Sequence, residues 1–138
     1  MAGNLTLRVI TPEKIILDET VDAIRIPGSD GAIGILPRHA SMVAALDSGE
    51  LRFTQGGRDT SLFVGPGFAE VRGATVRVVT DVSEPASDID VERAKASADR
   101  AKERMRTRAA DSPEAYDALR AEAALRRAIQ RLRVAGSR

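Results

Sequence analysis

The amino-acid sequence predicts a β + α protein, with a β-sandwich or barrel over residues 1–86 and a helical hairpin over residues 87–138. Apolar and polar residues alternate through the first part, which is typical of half-buried strands. After residue 86 the chain is dominated by Ala, Arg, Glu and Lys, which favour helix, and the next glycine is Gly136. A length of 138 residues suits one ordinary domain, or a small domain with an appendage.

The strands of the first part are indicated by short alternating segments separated by turn residues. Gly56-Gly57 lies between the apolar segments 51–54 and 60–64 and predicts a hairpin. Many short strands with glycine turns predict a sandwich or closed barrel. The apolar positions that alternate most clearly are Leu5, Leu7, Val9, Ile24, Ile26, Leu51, Phe53, Val76 and Val78.

The second part predicts two helices of about 20 residues each, arranged antiparallel because the connection between them is short. Ser87 or Asp88 can cap the first helix, and Ser112 followed by Pro113 marks the start of the second. Gly136 ends it.

The two helices are predicted to meet along an apolar seam that is rich in alanine. Small side chains allow close approach but bury little area, and each buried methylene contributes only about 0.8 kcal/mol. The hairpin is therefore expected to be held weakly. The predicted seam consists of Ile89, Ala94, Ala98, Ala101 and Met105 on the first helix and Tyr116, Leu119, Ala121, Leu125, Ile129 and Leu132 on the second.

The composition excludes several classes of protein. The chain has no cysteine, so it has no disulfide partner and no thiolate chemistry, as is compatible with a reducing cytoplasm. Its single histidine, His39, makes a zinc site improbable. Phosphate-loop, nucleophile-elbow and zinc-protease motifs are absent, and the apolar runs are too short to span a bilayer. We therefore predict no catalytic residues, no metal and no catalytic cofactor.

Charge is unequal along the chain. Residues 1–86 hold 8 Lys/Arg and 11 Asp/Glu, whereas residues 87–138 hold 13 and 9. The net charges are therefore −3 and +4, and they indicate two parts with different partners.

Two stretches resemble a known family. The first is Gly31–Ala40, with the sequence Gly-Ala-Ile-Gly-Ile-Leu-Pro-Arg-His-Ala, followed by Gly67–Val71. The second is Asp88–Ala96, followed by Leu119–Ala128. In order and spacing they closely resemble, nearly end to end, the epsilon subunit family of bacterial F-type ATP synthases.

The resemblance implies a ten-stranded sandwich or barrel followed by an antiparallel two-helix hairpin. It implies a non-catalytic subunit of the central rotor stalk, whose barrel contacts the gamma subunit and the c-subunit ring in proton-driven ATP synthesis. The implied location is peripheral, on the cytoplasmic face of the plasma membrane. In the family the hairpin can extend along gamma to the alpha and beta subunits and inhibit ATP hydrolysis.

A regulatory ATP site is also implied, because residues 89–94 resemble the family's Ile/Leu-Asp-x-x-Arg-Ala motif. Asp90 is placed to accept hydrogen bonds from an adenine amino group or a ribose. Two rows of arginines, one on each helix, can offer guanidinium groups to phosphates. The predicted nucleotide-binding set is Glu84, Ile89, Asp90, Arg93, Ala94, Arg100, Arg127 and Arg131, with Arg120 as a weaker member.

A structural interpretation of the same residues stays open. Asp90 favours a helix N-terminus whatever it binds, and it can form an exposed pair with Arg93 worth a few tenths of a kcal/mol. The arginines can equally form a solvated helix face. The presence of the whole set in one chain favours ATP binding.

The resemblance assigns two further sets of residues. Arg104, Arg106 and Arg108 are the candidates for inhibitory contact with alpha and beta, with a solubilising helix end as the alternative. Ala32, Arg38 and His39 are the candidates for contact with the c ring. His39 is expected to pack or hydrogen-bond within its own turn rather than to hold a metal.

Two other functions compete with a rotor subunit. A small barrel with a basic hairpin can bind nucleic acid, and the 13 basic residues after residue 86 favour this. The interspersed acidic residues and the aromatic content of 3% oppose it, so no nucleic-acid partner is expected. A helical-hairpin assembly factor is the third hypothesis.

Overall fold

The computed structural model describes residues 5–108 and 115–136 of the chain. These residues form ten strands and two α-helices, with a short 3₁₀ helix at Ala86–Asp88 between the two parts, so the predicted fold class is confirmed. The elements are β1 (Leu5–Ile10), β2 (Ile15–Val21), β3 (Ala23–Gly28), β4 (Gly31–Ile35), β5 (Met42–Leu46), β6 (Gly49–Gln55), β7 (Arg58–Val64), β8 (Gly67–Arg72), β9 (Thr75–Thr80), β10 (Ser83–Pro85), α1 (Val91–Arg108) and α2 (Ala115–Gly136).

The strands form one sheet that curls into a nearly closed barrel. Their order is β10-β7-β6-β3-β5-β8-β9-β1-β2, with β4 paired to β3. Neighbours are antiparallel except for β1 and β9, which are parallel. The end of β2 returns to β6, where the Asp22 amide donates to the Thr54 carbonyl at 2.8 Å. The Gln55 side chain donates to the Thr20 carbonyl at 2.7 Å, which ties the same two strands together.

The barrel core follows the alternation of the sequence. Leu5, Leu7 and Val9 are buried along β1, while Arg25 and Arg77 point outward between buried neighbours on their own strands. The core is aliphatic apart from Phe53. Phe68 on β8 is 39% exposed, because its position on the strand faces outward.

The predicted hairpin at Gly56-Gly57 is confirmed. Both glycines have positive φ, +57° and +78°, and Gln55 of β6 pairs directly with Arg58 of β7. Two consecutive left-handed residues make a type I′ turn, whose twist matches that of the flanking strands. Glycine supplies this conformation without steric cost.

The first helix is capped two or three residues later than predicted. Residues 86–88 form the 3₁₀ turn, and Ile89 is extended, so the chain enters α1 through Asp90. The Asp90 carboxylate accepts a hydrogen bond from the Arg93 amide at 3.1 Å, as an N-cap does. The prediction that Ser87 or Asp88 caps α1 was therefore wrong. The predicted second break, at Ser112-Pro113, lies outside the described residues.

The helices pack through alanine, but the predicted seam was partly wrong. Ala94, Ala98 and Ala101 of α1 are buried, as are Ala121 and Ala128 of α2. By contrast, Leu119 is 64% exposed and Ile129 is 46% exposed. Residues 121 and 128 are seven apart and define the buried face. At 3.6 residues per turn, position 129 lies about 90° from this face and position 119 lies nearly opposite it. The side chain of Tyr116 lies outside the described residues.

The helix pair is attached to the outside of the barrel by a second apolar cluster. This docking cluster contains Phe63 of β7, Ala86 and Ile89 of the connection, and Val134 and Ala135 of α2. It is separate from the barrel core. The barrel and the helices therefore share a small apolar contact rather than a common core.

Candidate nucleotide site between the barrel and the helices

A cavity of about 360 Å³ opens where the end of the barrel meets both helices. We call it the β10–α1 cavity. Strand β10, the connection to α1, the first two turns of α1 and the last turns of α2 all contribute to its wall. The lining residues are Glu84, Asp88, Asp90, Arg93, Ala94, Ser97 and Arg131.

Arg131 of α2 joins the helix pair to the barrel at one wall of the cavity. Its Nε donates to Glu84 Oε1 at 2.9 Å, and the two side chains are only 26% and 29% exposed. Its guanidinium carbon lies 4.5 Å from the centroid of the Phe63 ring. Glu84 and Phe63 are direct partners across β10 and β7, so the strand register sets both contacts. An ion pair and a cation–π contact thus hold the same cation.

The opposite wall is built by the first two turns of α1. Asp90 uses one carboxylate oxygen to cap the helix and lies at the cavity. Arg93 and Ser97 are four residues apart and therefore lie on the same face of the helix. The Ser97 hydroxyl accepts a hydrogen bond from Arg100 at 3.0 Å, which places Arg100 at the margin of the lining.

The structure brings most of the predicted nucleotide-binding residues together. Five of the eight line the cavity, and Arg100 borders it through Ser97. Ile89 is buried in the docking cluster instead, because its extended backbone turns the side chain toward Phe63. Arg127 is not among the lining residues. The residues found together are Glu84, Asp90, Arg93, Ala94 and Arg131.

Two lining residues were missed in the sequence. Asp88 was interpreted only as a helix cap, although it precedes α1 and faces the cavity. Ser97 follows Arg93 by four residues, and this spacing could have identified it as a neighbour on the same face.

The lining offers both hydrogen-bond acceptors and hydrogen-bond donors. Three carboxylates accept hydrogen bonds from amino and hydroxyl groups, and two guanidinium groups donate to anions. The volume lies in the range of small-molecule sites. Counted over the described residues, the formal charge of the lining is −1, so a fully buried polyanion does not suit it, whereas a neutral polar group does.

The predicted c-ring residues lie on β4 and in the turn that follows it. Ala32 is exposed on β4. Arg38 has φ of +69°, and the Leu36 carbonyl accepts a hydrogen bond from the His39 amide at 3.2 Å. With Pro37 second and a positive φ third, this is a type II turn. His39 Nδ1 donates to the Ala40 carbonyl at 2.8 Å, so the histidine hydrogen-bonds within its own segment.

The predicted inhibitory arginines lie on the second half of α1. Arg106 pairs with Glu103 at 2.7 Å, three residues earlier, with both side chains largely exposed. Arg104 is exposed and has a partner of its own. The side chain of Arg108 lies outside the described residues.

Neither a membrane span nor a metal cluster is found in the described part of the chain. Of the helices in residues 5–108 and 115–136, none is long and apolar enough to cross a bilayer. Within the same ranges, no group of three or more His, Asp or Glu residues could hold a metal ion.

Comparison with known proteins assigns the family. The profile of the ATP synthase delta/epsilon chain beta-sandwich domain matches residues 4–86, and that of the delta/epsilon chain long alpha-helix domain matches residues 87–136. The ATP synthase epsilon chain of Desulforamulus reducens is 43% identical, over 98% of this chain and 99% of its own length. The epsilon chain of Symbiobacterium thermophilum is 45% identical, over 98% and 95%.

A solved structure agrees over the full length. A chain of the Euglena gracilis mitochondrial ATP synthase, from its OSCP/F1/c-ring assembly, superimposes with a TM-score of 0.81 at 26% identity. The match covers 100% of this chain and 84% of that chain. The protein therefore belongs to the ATP synthase delta/epsilon chain family, as an epsilon chain, which is a stalk subunit and not itself catalytic.

Proposed function

We propose that this chain couples the catalytic head to the c ring as part of the central stalk, and that its helix pair regulates ATP hydrolysis in response to ATP. In this proposal the barrel contacts the gamma subunit and the c ring at the cytoplasmic face of the plasma membrane. The superposition on a chain from an F1/c-ring assembly supports the position in the stalk. The exposed turn around Arg38 and His39 supplies the proposed c-ring contact.

The composition of the β10–α1 cavity wall carries the regulatory part of the proposal. Glu84 comes from the barrel, Arg93 from α1 and Arg131 from α2. A ligand that fills the cavity therefore contacts the barrel and both helices at once, and it binds only when they are docked. Such a ligand stabilises the docked state by about 2.7 kcal/mol at a hundredfold excess over its Kd.

The charges of the cavity indicate how ATP would lie. The three carboxylates suit the adenine amino group and the ribose hydroxyls. Because the lining is slightly negative, the triphosphate would extend past Arg93 toward Arg100 at the margin rather than lie inside. Arg127 would take part only if α2 moved, since it does not line the cavity in this state.

The weak attachment of the helix pair supports the inhibitory state. The docking cluster is small, and its separation from the barrel core allows the helices to leave without exposing that core. Leu119 and Ile129 are already exposed in the docked state, so another partner could bury them. Released helices would carry the Arg104–Arg108 segment to acidic surfaces of alpha and beta.

The switch is tested by the distance between the barrel and the end of α2. Because the chain has no cysteine, Arg58→Cys and Gly136→Cys give two unique labelling sites. We expect millimolar ATP to raise the population with the short distance. The Arg93→Gln variant should require much more ATP, whereas Lys95→Gln, two residues along α1 and outside the cavity lining, should behave as the parent. If ATP does not change this distance in any variant, the switch is disproved.

The inhibitory role needs a separate test in the assembled enzyme. Deleting residues 87–138 should raise ATP hydrolysis and leave proton-driven synthesis largely intact. If deletion leaves hydrolysis unchanged at both low and high ATP, the helices do not inhibit this enzyme.

A further inference from the structure

A second, larger recess lies on the other side of α2, between that helix and the outer face of the barrel. We call it the β6–α2 groove, and its volume is about 580 Å³. In the part of the chain that the structure describes, it shares no lining residue with the β10–α1 cavity. Four of its lining residues are arginines, namely Arg25 on β3, Arg52 on β6, and Arg126 and Arg133 on α2.

The strand register brings two of these arginines face to face. Arg25 of β3 is the direct cross-strand partner of Arg52 of β6, so both side chains leave the same face of the sheet. Like charges directly opposite each other destabilise a strand pair. An anion bound to Arg25 would offset this repulsion.

The two acidic residues of the groove neutralise only half of the positive charge of its four arginines. Arg52 pairs with Glu50 at 3.1 Å, and Arg126 pairs with Asp47 at 3.6 Å. Arg25 and Arg133 have no ion-pair partner in residues 5–108 and 115–136. Among the described residues, the formal charge of the lining is therefore +2, with one unpaired guanidinium on the barrel and one on α2.

The groove is complete only while α2 is docked. Arg126, Gln130 and Arg133 form its helical wall. Gln130 reaches over Gly49, where an added Cβ would lie 4.0 Å from its Oε1 and only 2.7 Å from Pro27 Cβ. A side chain at position 49 would therefore displace Pro27, at the point where Gln130 of α2 covers the groove.

We propose that the β6–α2 groove binds a small phosphate-class oxoanion that bridges Arg25 and Arg133. Guanidinium groups recognise such anions through paired N–H donors, and a dianion matches the charge of +2. The described lining includes no aromatic residue that could stack on a base, so a free oxoanion fits better than a nucleotide. Because the anion touches the barrel and α2, it holds the docked state independently of the β10–α1 cavity.

The test uses inorganic phosphate and the full-length chain at low ionic strength, with binding followed by calorimetry and by the NMR signals of arginine Nε–H groups. We expect saturable binding at millimolar phosphate that shifts the signals of Arg25 and Arg133. Arg25→Gln and Arg133→Gln should each weaken binding by about fivefold or more. The matched control, Arg72→Gln at an exposed position of β8 outside the groove, should bind as the parent.

Three outcomes would overturn the proposal. Equal weakening in Arg72→Gln would show non-specific screening. Loss of phosphate binding in Arg93→Gln, with Arg25→Gln unaffected, would place the anion in the β10–α1 cavity. Tighter binding of a glutamate-rich peptide than of phosphate, lost in Arg25→Gln, would show a surface for an acidic protein partner. Failure of the ATP switch would leave the phosphate result unaffected, because the two sites share no residue.

Discussion

Arg131 connects the last turns of α2 to the barrel through an ion pair with Glu84 and a cation–π contact with Phe63. We expect Arg131→Gln to weaken docking of the helices by about 2 kcal/mol, because it removes a half-buried ion pair and a cation–π contact together. Hydrogen exchange of the amides of Val134 and Ala135 measures this loss directly. Arg127→Gln, one turn earlier on the same helix and outside the cavity lining, is the control and should leave exchange unchanged in the absence of nucleotide. Equal protection in both variants would show that the docking cluster alone holds the helices.

Arg38 occupies a backbone conformation that a non-glycine residue rarely adopts. Its φ of +69° costs about 1–2 kcal/mol relative to glycine, and a β-branched residue there is worse. We therefore expect the free energy of unfolding of the Arg38→Gly variant to exceed that of Arg38→Val by about 1–2 kcal/mol. Urea unfolding of the two variants measures the gap. Equal midpoints would mean that this turn relaxes when the residue changes.

The docking cluster and the barrel core should respond differently to the same substitution. Val134→Ala removes buried methyl groups from the docking cluster, at a cost of about 2 kcal/mol. We expect faster exchange along α1 and α2 only, with the strands unchanged. Val78→Ala, in the barrel core, should instead lower protection in strands on both sides of β9. If Val134→Ala also loosens the strands, the two clusters unfold as one unit.

At the level of elements, the sequence predicted strands better than helix packing. Period-two alternation identifies which face of β1 is buried, because a shift by one residue would expose every core residue. On α2 the apolar residues surround the helix, so their spacing alone could not show that alanines, rather than Leu119 and Ile129, form the buried face. The missed cap has a similar cause, because Asp88 and Asp90 are equally good caps and only the 3₁₀ turn decides between them.

For the molecule as a whole, the two-part organisation could be predicted but the joint between the parts could not. The spacing of apolar residues changes from a strand pattern to a helix pattern near residue 86, and this change is visible in the sequence. The pairing of Arg131 with Glu84 spans 47 residues and depends on β10 adding to β7, which no local pattern shows. The β6–α2 groove was missed for the same reason, since its arginines come from β3, β6 and α2.

The dependence of the barrel on its last strand leads to the final prediction. A fragment of residues 1–86 keeps β10 paired to β7 and all of the barrel core, so it should fold and unfold cooperatively. A fragment of residues 1–82 lacks β10 and leaves one edge of β7 unpaired, next to the apolar Phe63. Exposed edges of this kind promote association between chains, so the shorter fragment should be less stable and prone to aggregate. Urea unfolding and light scattering of the two fragments measure the difference. Equal stability of the two fragments would show that β10 does not stabilise the barrel on its own. An unfolded 1–86 fragment would show that the barrel needs the docked helices to fold.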